Sequence, residues 1–469
     1  MSNVQSQPSG APIRSHGQLL DYFREGMKEP SAWGIGLEYE RLGVVTTTVE
    51  AIPFSGTRGV EAVLDAMASA YGWEKQDEGG RTIALRRGTA SVTLEPGGQL
   101  ELSGRVHGDL CSMRDELAGH LGDSVAVSDP LGITWIPLGL HPVSRVEEIE
   151  WVPKGRYKIM GPFLGARGRL GHHMMKGTAG VQLNLDYSSE EDAADKLRTA
   201  MGITSILTAV CANSPFYDGR RTGFMSRRAH IWTDTDPARC GLLEFTLRDG
   251  LTFQDYKEYA LDVPLLFALR DGRWIDLGGI TFRRFLEEGC GGLRATMGDW
   301  ALHLTTIFTE VRLKTYVEVR GSDSISPDLV MAVAALWKGI LYDPEARREA
   351  WGLVKEISFA DRLAFHHEAA ARGPMARVGG RPALAAAGDL LALAREGLGR
   401  VAASGIAGPC RVEAEKALLD PFEELLATEG GCPAAGTLRA WEKGGPAGIV
   451  RAARAADESF VSSSAETSP

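Results

Sequence analysis

Residues 91–103 read SVTLEPGGQLELS, and this stretch decides the predicted fold class. It predicts two short β-strands joined by a turn, because proline presets its own φ and the two glycines after Pro96 leave the backbone free. Side chains alternate between the two faces of a strand. Glu95 and Glu101 therefore lie on the polar face of the two strands, one on each side of the turn. Taken alone, the stretch also fits the solvated face of an ordinary antiparallel sheet.

Three further predicted strands repeat this pattern of one apolar and one polar face. Their polar-face residues are Glu38 and Glu40 in residues 33–42, Gln182 and Asn184 in residues 180–187, and Glu318 and Arg320 in residues 315–320. Carboxylates at positions i and i+2 of one strand face repel each other, so the pair at positions 38 and 40 calls for a cation. Carboxylates without His or Cys suit the hard cations Mg²⁺ or Mn²⁺. If the strands share one sheet, this face favours metal-assisted phosphoryl transfer, with an arginine neutralising the moving group.

Composition sets the broad class of the protein. The chain has 469 residues, 44% apolar and 24% charged, with a net charge of −10. The length allows two or three domains, and the acidic balance argues against a nucleic-acid partner. The amino-terminal residues lack the apolar region of a signal peptide, and no apolar run is long enough to span a membrane. We therefore expect a cytoplasmic protein that binds small molecules and no membrane. The six cysteines contain no C-x-x-C pair, which favours a reduced protein.

The order of predicted elements indicates an α+β fold. Residues 1–12 and 456–469 are predicted to be disordered tails, residues 13–326 a catalytic core built on the antiparallel sheet, and residues 327–455 a helical region packed on that core. Residues 243–247 are predicted to form a strand, and residues 256–268 a helix bent or entered at Pro264. Residues 154–171 are rich in glycine and basic residues. They fit either a surface loop or a mobile cover over an anionic substrate.

Motifs for other chemistries are absent from the sequence. There is no G-x-x-x-x-G-K-[ST] phosphate loop and no G-x-S-x-G nucleophile turn. The histidines at 172–173 and 366–367 lack the spacing of a zinc protease and fit surface or core positions better. A glycosidase with a carboxylate pair stays conceivable, but the additional carboxylates and arginines fit metal–phosphate chemistry better.

Several motifs together resemble the glutamate–cysteine ligases of the plant and proteobacterial type. The resembling segments are GLEYE at 36–40, LEPGGQLELS at 94–103, VQLNLD at 181–186, ANSPF at 212–216, SRRAHIWTDTDP at 226–237 and HLTTIFTEVRLK at 303–314. The resemblance runs from about residue 33 to residue 321 and continues more loosely to the carboxyl terminus.

The resemblance implies an ATP-dependent enzyme that makes γ-glutamylcysteine, the first step of glutathione synthesis. It further implies a glutamine-synthetase-like sheet curved into a funnel, with Mg²⁺ or Mn²⁺ on its inner face and ATP as co-substrate. By similarity, the metal ligands are Glu38, Glu40, Glu95, Glu101, Gln182 and Glu318, the substrate-binding residues are Asn184, Arg228, Trp232 and Arg320, and the catalytic residues are Arg228 and Arg320. A monomer or a homodimer is expected.

Two other functions stay open from the sequence. One is a carboxylate–amine ligase of the same fold that uses another amine, and the other is a binding or sensor protein without turnover. Plant members of the resembling family carry a regulatory disulfide in the region corresponding to residues 275–292. Leu277 stands where one of those cysteines would be, so Cys290 has no evident local partner.

Overall fold

The computed structural model describes residues 10–405 and 410–467 of the chain. The strands in these residues are β1 (Ile35–Val45), β2 (Glu74–Glu78), β3 (Arg81–Arg87), β4 (Ala90–Leu94), β5 (Leu100–His107), β6 (Ile133–Ile136), β7 (Gly180–Leu185), β8 (Phe216–Tyr217), β9 (Arg220–Arg221), β10 (Cys240–Gly241), β11 (Phe267–Arg270), β12 (Arg273–Asp276), β13 (Phe308–Thr309), β14 (Val311–Leu313), β15 (Val317–Asp323), β16 (Arg377–Val378) and β17 (Arg381–Pro382).

The α-helices in the same residues are α1 (His16–Arg24), α2 (Val60–Tyr71), α3 (Leu110–Ser128), α4 (Tyr157–Gly165), α5 (Gly171–Gly177), α6 (Glu190–Val210), α7 (Arg227–Trp232), α8 (Phe253–Asp262), α9 (Phe282–Glu288), α10 (Met297–Leu304), α11 (Pro327–Tyr342), α12 (Pro344–Gly352), α13 (Phe359–Arg372), α14 (Ala383–Ala403), α15 (Val412–Ala417), α16 (Asp420–Ala427) and α17 (Pro433–Thr467). Helix α17 kinks where Gly444 and Gly445 leave the helical conformation.

A single antiparallel sheet organises the chain. Its strand order is β14-β15-β7-β1-β5-β4-β3-β2, and β6 also pairs with β1. The register places Glu40 of β1 opposite Glu101 of β5. On the other side of β1, Glu38 lies opposite Gln182 of β7. The predicted α+β fold with an antiparallel sheet is confirmed, and the five strands predicted to carry a polar face correspond to β1, β4, β5, β7 and β15 of this one sheet.

The two faces of the sheet have different coverings. The apolar face packs on helices that include α3, α6 and α11, where Leu37, Tyr39 and Leu183 join the largest buried apolar cluster. The polar face is also buried, since Glu38 is 4% exposed and Glu101 is fully buried. An ordinary solvated sheet face is therefore excluded. Burying like charges together is costly unless a cation compensates them, so the polar face is a candidate site.

The turn between β4 and β5 leaves no space for a larger residue at its centre. A Cβ atom at Gly97 would lie 2.1 Å from the carbonyl oxygen of Lys176. The Gln99 side chain donates to the carbonyls of Met175 and Thr178, at 3.1 and 2.8 Å. The turn that carries Glu95 is thereby fixed to the end of helix α5.

Two predicted elements are wrong. Residues Glu244–Leu247 form a short 3₁₀-helix where a strand was predicted. Helix α8 ends at Asp262, and residues up to 268 do not continue it, because β11 begins at Phe267. Proline lacks a backbone N–H and disfavours helical conformation in the residue before it, which explains the break before Pro264.

The region between residues 154 and 171 and the carboxyl-terminal segment also differ from expectation. The former is not a loop, because it contains α4 and leads into α5. Helix α17 continues to Thr467, so the predicted disordered tail is wrong for residues 456–467. Asp457 explains this order, since it is 5% exposed and forms an ion pair of 2.8 Å with Arg41 of β1. Residues 1–9 of the other predicted tail lie outside the described residues.

No helix in the described part of the chain is long and apolar enough to cross a membrane. The proposed boundary near residue 326 coincides with the start of α11. Helices α11 and α14 share the buried apolar cluster of the sheet, so the helical region packs on the catalytic core.

Candidate active site

The carboxylates of the polar face lie on β1, β5 and β15 and in the turn between β4 and β5. Glu40 accepts hydrogen bonds from the backbone N–H of Gly180 at 2.7 Å and from Nε2 of Gln182 at 3.0 Å. Glu101 accepts a hydrogen bond from the hydroxyl of Thr93. Burial and the neighbouring carboxylates of Glu95 and Glu101 raise the pKa of Glu40 to about 8. The site therefore holds excess negative charge that a cation would relieve.

Glu95 has a buried carboxylate oxygen that suits a cation. It is 8% exposed, and its Oε1 atom is buried without a hydrogen-bond partner among the described residues. Buried carboxylate oxygens are normally paired. The Oε1 atom is therefore available to a ligand that approaches through the cavity, which Glu95 lines together with Glu40 and Gln182.

Glu40, Glu95 and Gln182 line the cavity with oxygen atoms that suit a divalent cation, and Glu101 is fully buried and is not among the residues that line the cavity. All four offer oxygen atoms, the donors that Mg²⁺ and Mn²⁺ prefer. No three carboxylates on this face, among the described residues, bring their oxygens within 4.8 Å of one another. Each cation would therefore take one or two of these carboxylates and complete its shell with substrate oxygens, as Mg²⁺ commonly does.

Glu318 does not fit the predicted role of metal ligand. Its two oxygens accept hydrogen bonds of 2.6 and 2.8 Å from Nη2 of Arg312 and lie near Lys314 at 3.3 Å. Arg320 also donates to Glu318. These cations hold the pKa of Glu318 well below its usual value. Because cationic side chains already compensate the charge of Glu318, we no longer count it among the candidate metal ligands. Its role is to orient Arg312 and Arg320.

Glu38 lies at the edge of the carboxylate group. It accepts a hydrogen bond of 3.2 Å from Nδ2 of Asn184. The Oδ1 atom of Asn184 has no partner among the described residues. Asn184 also pairs with Glu318 across β7 and β15. Glu38 and Asn184 thus form a polar extension of the site toward Glu318.

The residues that line the cavity also include hydrogen-bond donors. Arg228 is 5% exposed, and its Nη2 donates to the carbonyl of Arg320 at 3.1 Å. The Nε atom of Arg228 and the Nε1 atom of Trp232 are buried without partners in the described chain. Both residues line the cavity. Unpaired donors on an arginine and an indole suit a carboxylate or a phosphoryl group.

Arg320 forms hydrogen bonds with two polar residues of the sheet. Its Nη1 atom donates to Oε1 of Gln182 and to Oε1 of Glu318. It is 8% exposed and lines the same cavity. The predicted residues Glu40, Glu95, Gln182, Arg228, Trp232 and Arg320 therefore surround one cavity, and methionines at 160, 174 and 175 complete its wall.

Lys154 and Arg156 were missed as site residues because the sequence placed them in a loop. The Nζ atom of Lys154 and the hydroxyl of Tyr157 donate to the carbonyl of Leu94, at 2.8 and 2.9 Å. Burial and the nearby charge of Arg156 lower the pKa of Lys154 to about 7, against the opposing effect of Glu95 and Glu101. The cluster of basic residues in the sequence indicates an anionic ligand, but it does not indicate that Lys154 is buried beside the Glu95 turn.

Comparison with protein families identifies the chain. A family model described as glutamate–cysteine ligase family 2 matches residues 34–453. The chain belongs to glutamate–cysteine ligase family 2. It is 40% identical over 385 residues to a chloroplastic glutamate–cysteine ligase of Brassica juncea, covering 81% of this chain and 74% of that protein. The chloroplastic enzyme of Arabidopsis thaliana is 39% identical over 385 residues, with 81% and 73% covered.

A solved structure agrees with the fold. The crystal structure of a glutamate–cysteine ligase from Francisella tularensis in complex with AMP matches with a TM-score of 0.50. It is 15% identical and covers 92% of this chain and 89% of that chain. The family resemblance and the assignment of the chain to the glutamate–cysteine ligases are confirmed.

Two expectations about the environment of the protein are wrong. The relatives from Brassica juncea and Arabidopsis thaliana are named as chloroplastic, which contradicts the expected cytoplasmic location. Cys111 and Cys410 form a disulfide, so the fully reduced protein expected from cysteine spacing is also not found. The two cysteines are 299 residues apart, and such a long-range pair carries no local signal in the sequence. Cys290 is free, as expected from the leucine at position 277.

Proposed function

We propose that this family member catalyses ATP-dependent ligation of the γ-carboxylate of glutamate to the amine of cysteine. The product is γ-glutamylcysteine, and ADP and phosphate are released. The observation that carries the proposal is one cavity lined by Glu95, whose Oε1 is buried without a partner among the described residues, and by Arg228 and Trp232, each with a buried donor that has no partner there either. The carboxylates of the cavity suit cations and its arginine and indole donors suit anions, as a reaction between a nucleotide phosphate and a carboxylate requires.

The carboxylates of Glu40, Glu95 and Glu101, with the amide oxygen of Gln182, are the proposed holders of Mg²⁺ or Mn²⁺. When bound, the cation supplies neutralising charge for the phosphoryl group during transfer. Glu318 keeps Arg320 in place, since its own charge is already compensated by Arg312. Glu38 extends the acidic wall through its hydrogen bond with Asn184.

The donors that line the cavity, on Arg228, Trp232 and Arg320, are proposed to bind glutamate and the transferred phosphoryl group. Arg228 and Trp232 have free N–H groups in the cavity, and Arg320 reaches the same space. In the proposed reaction, the γ-carboxylate oxygen attacks the terminal phosphorus of ATP to give γ-glutamyl phosphate and ADP. The cysteine amine then attacks the acyl carbon, loses a proton and displaces phosphate.

Water must be kept from the acyl phosphate until the amine attacks. Glu95, Gln182, Arg228 and Arg320 are each buried, and Met160, Met174 and Met175 add apolar surface to the lining of the cavity. AMP in the solved ligase from Francisella tularensis is consistent with nucleotide binding by this fold.

A direct assay tests the proposal. The protein is incubated with ATP, Mg²⁺, glutamate and cysteine, and γ-glutamylcysteine is detected by its mass. A panel of other amines replaces cysteine in parallel, and ADP release is measured for each. Product with cysteine, and its loss in excess chelator, is the expected result. Preferred turnover of another amine would replace the cysteine assignment, while activity in excess chelator would remove the metal from the proposal.

A further inference from the structure

Asp323, at the end of β15, is a buried carboxylate that has no part in the proposed reaction. It is 1% exposed. Its Oδ1 atom accepts a hydrogen bond of 2.8 Å from the hydroxyl of Ser226. Its Oδ2 atom accepts hydrogen bonds of 2.7 Å from the backbone N–H of Asn213 and from the hydroxyl of Ser214. One side chain therefore joins β15 to two segments that are distant in sequence.

The segments that contain Ser214 and Ser226 both form hydrogen bonds with the first turn of α7, the helix that carries Arg228. Ser226 is the N-cap of α7, and its hydroxyl accepts a hydrogen bond of 3.0 Å from the backbone N–H of Ala229. The hydroxyl of Ser214 accepts a hydrogen bond of 3.0 Å from the backbone N–H of Arg228. The two serines thus connect Asp323 to the first turn of the helix that carries Arg228.

The guanidinium of Arg228 is held by the same carboxylate. Its Nη1 atom lies 3.8 Å from Oδ1 of Asp323. Burial raises the pKa of Asp323, and the charge of Arg228 opposes that shift. The carboxylate has little room to move, because a Cβ atom at Gly139 would lie 2.4 Å from its side chain.

Helix α17 reaches this group through Asn213. The Thr437 hydroxyl donates to Oδ1 of Asn213 at 2.7 Å. The amide nitrogen of Asn213 donates to the carbonyls of Pro137 and Ser324, at 2.7 and 3.1 Å. The segment before α7 is therefore fixed from both sides.

We propose that Asp323 is a positioning residue for Arg228 and thereby sets the affinity of the site for glutamate. This inference rests on the proposed role of Arg228 in glutamate binding. Asp323 holds the backbone of α7 through two serines and the guanidinium by charge, and Arg228 thereby keeps its place in the lining of the cavity. Preorganised donors bind an anion more tightly than mobile ones, because no ordering is required on binding.

The test is a double-mutant cycle with Asp323→Asn and Arg228→Lys. Asparagine keeps the volume of Asp323 but removes its charge and places an NH₂ group where one of two acceptor oxygens is needed. We expect Asp323→Asn to raise the KM for glutamate about tenfold, as loss of a charge-assisted contact would, while the KM for ATP changes by less than about twofold. The KM for glutamate of the double variant should equal that of Arg228→Lys alone, within about threefold, because both changes act through one side chain.

Asp236→Asn is the matched control. Asp236 is 2% exposed and pairs with Arg239 at 2.7 Å, close in sequence to α7, but does not line the cavity. Its loss should lower thermal stability without a selective change in the KM for glutamate. If Asp323→Asn does not fold, Ser226→Ala removes one hydrogen bond to Asp323 together with the N-cap hydrogen bond of α7, and it should raise the same KM about threefold.

The outcomes separate the inference from the proposed function. Additive losses in the cycle, or equal changes in the KM for glutamate and ATP, would overturn the positioning role alone. Normal glutamate kinetics in Arg228→Lys would overturn the role of Arg228 and, with it, the positioning by Asp323.

Discussion

At the scale of single residues, the neighbours of a carboxylate decide what it can do. Glu318 and Glu95 both lie on the polar side of the sheet and are both buried. Glu318 is surrounded by cationic side chains, whereas Glu95 keeps an unpaired oxygen. The alternation of side chains along the strands predicted the position of both residues. It could not predict their different roles, because Arg312 reaches Glu318 only after β14 and β15 pair.

Arg320→Lys should reduce kcat about 10²-fold and leave the thermal midpoint nearly unchanged. Arg320 lines the cavity, and lysine cannot reproduce the planar fork with which a guanidinium binds a carboxylate or a phosphoryl group. Loss of a donor that acts mainly in the transition state typically costs about 10²–10³ in turnover. Steady-state kinetics and thermal unfolding measure the two effects.

Arg283→Lys is the control for that variant. Arg283 also contacts two carboxylates, Glu258 at 2.9 Å and Asp262 at 2.7 Å, but it lies on the surface away from the cavity. The variant Arg283→Lys should therefore have the kcat of the unmodified enzyme. A kcat of Arg320→Lys within about threefold of the unmodified enzyme would leave Arg320 with a structural role only.

The pKa of Glu40 predicts how the metal-free protein responds to pH. The folded pKa is about 8, above the ordinary value of 4.5. Between these values the folded state keeps a proton that the unfolded state has lost, so the free energy of unfolding falls as pH rises from 4.5 to 8. Glu40→Gln should therefore weaken this decline, and Mg²⁺ should oppose it in the unmodified enzyme. Thermal unfolding at several pH values checks both effects.

Glu61→Gln is the control variant, because the pKa of Glu61 is shifted in the opposite direction from that of Glu40. Its hydrogen bonds with Arg81 hold the pKa of Glu61 below its usual value. The stability that Glu61 contributes is present above its unfolded pKa and is lost as pH falls. An identical decline with rising pH in Glu40→Gln and in the unmodified enzyme would contradict the assignment of the effect to Glu40.

At the scale of elements, the strands of the site could be predicted and its covering helices could not. The period-2 pattern fixed which face of β1 and β7 carries Glu38, Glu40 and Gln182, and their register follows from antiparallel pairing. The basic segment that contains Lys154 has no such period. Its contact with the carbonyl of Leu94 depends on tertiary packing alone. The helical identity of α4 is therefore a consequence of the fold that local residue types did not indicate.

Gly97→Ala should lower both stability and activity. The added Cβ would lie 2.1 Å from a backbone oxygen, which cannot move without displacing α5. The Glu95 turn would then shift from its position, and we expect kcat to fall at least about tenfold, as misplacement of reacting groups by about an ångström can cost more than this. Thermal unfolding and steady-state kinetics measure the change.

Gly88→Ala is the matched control on the same sheet. Gly88 has a φ of 63°, and nothing lies within 4 Å of its added Cβ. It should cost about 1–2 kcal/mol of stability from backbone conformation and leave the kinetics unchanged. Equal kinetics in both variants would mean that the turn tolerates displacement and does not position Glu95.

At the scale of the whole molecule, the helical region and the sheet core are joined covalently. The disulfide joins Cys111, in the first turn of α3, to Cys410, just before α15. Glu415 of α15 strengthens the same junction, since it accepts hydrogen bonds from the backbone N–H of Leu110 at 2.9 Å and from Lys338 of α11 at 2.7 Å. The junction lies on the apolar side of the sheet, away from the carboxylates. It should therefore act on stability and leave catalysis unchanged.

Reduction of this disulfide by a dithiol should lower the thermal midpoint by several degrees and leave kcat at 25 °C unchanged. A cross-link between residues 299 apart removes conformational entropy from the unfolded chain, which contributes about 6 kcal/mol of stability in the chain-entropy model. Cys111→Ser should have the lower midpoint without reductant and no further response to it. Cys290→Ser is the control, because Cys290 is free and should leave the response intact. A reversible loss of kcat on reduction, absent in Cys111→Ser, would instead make the junction part of catalytic control.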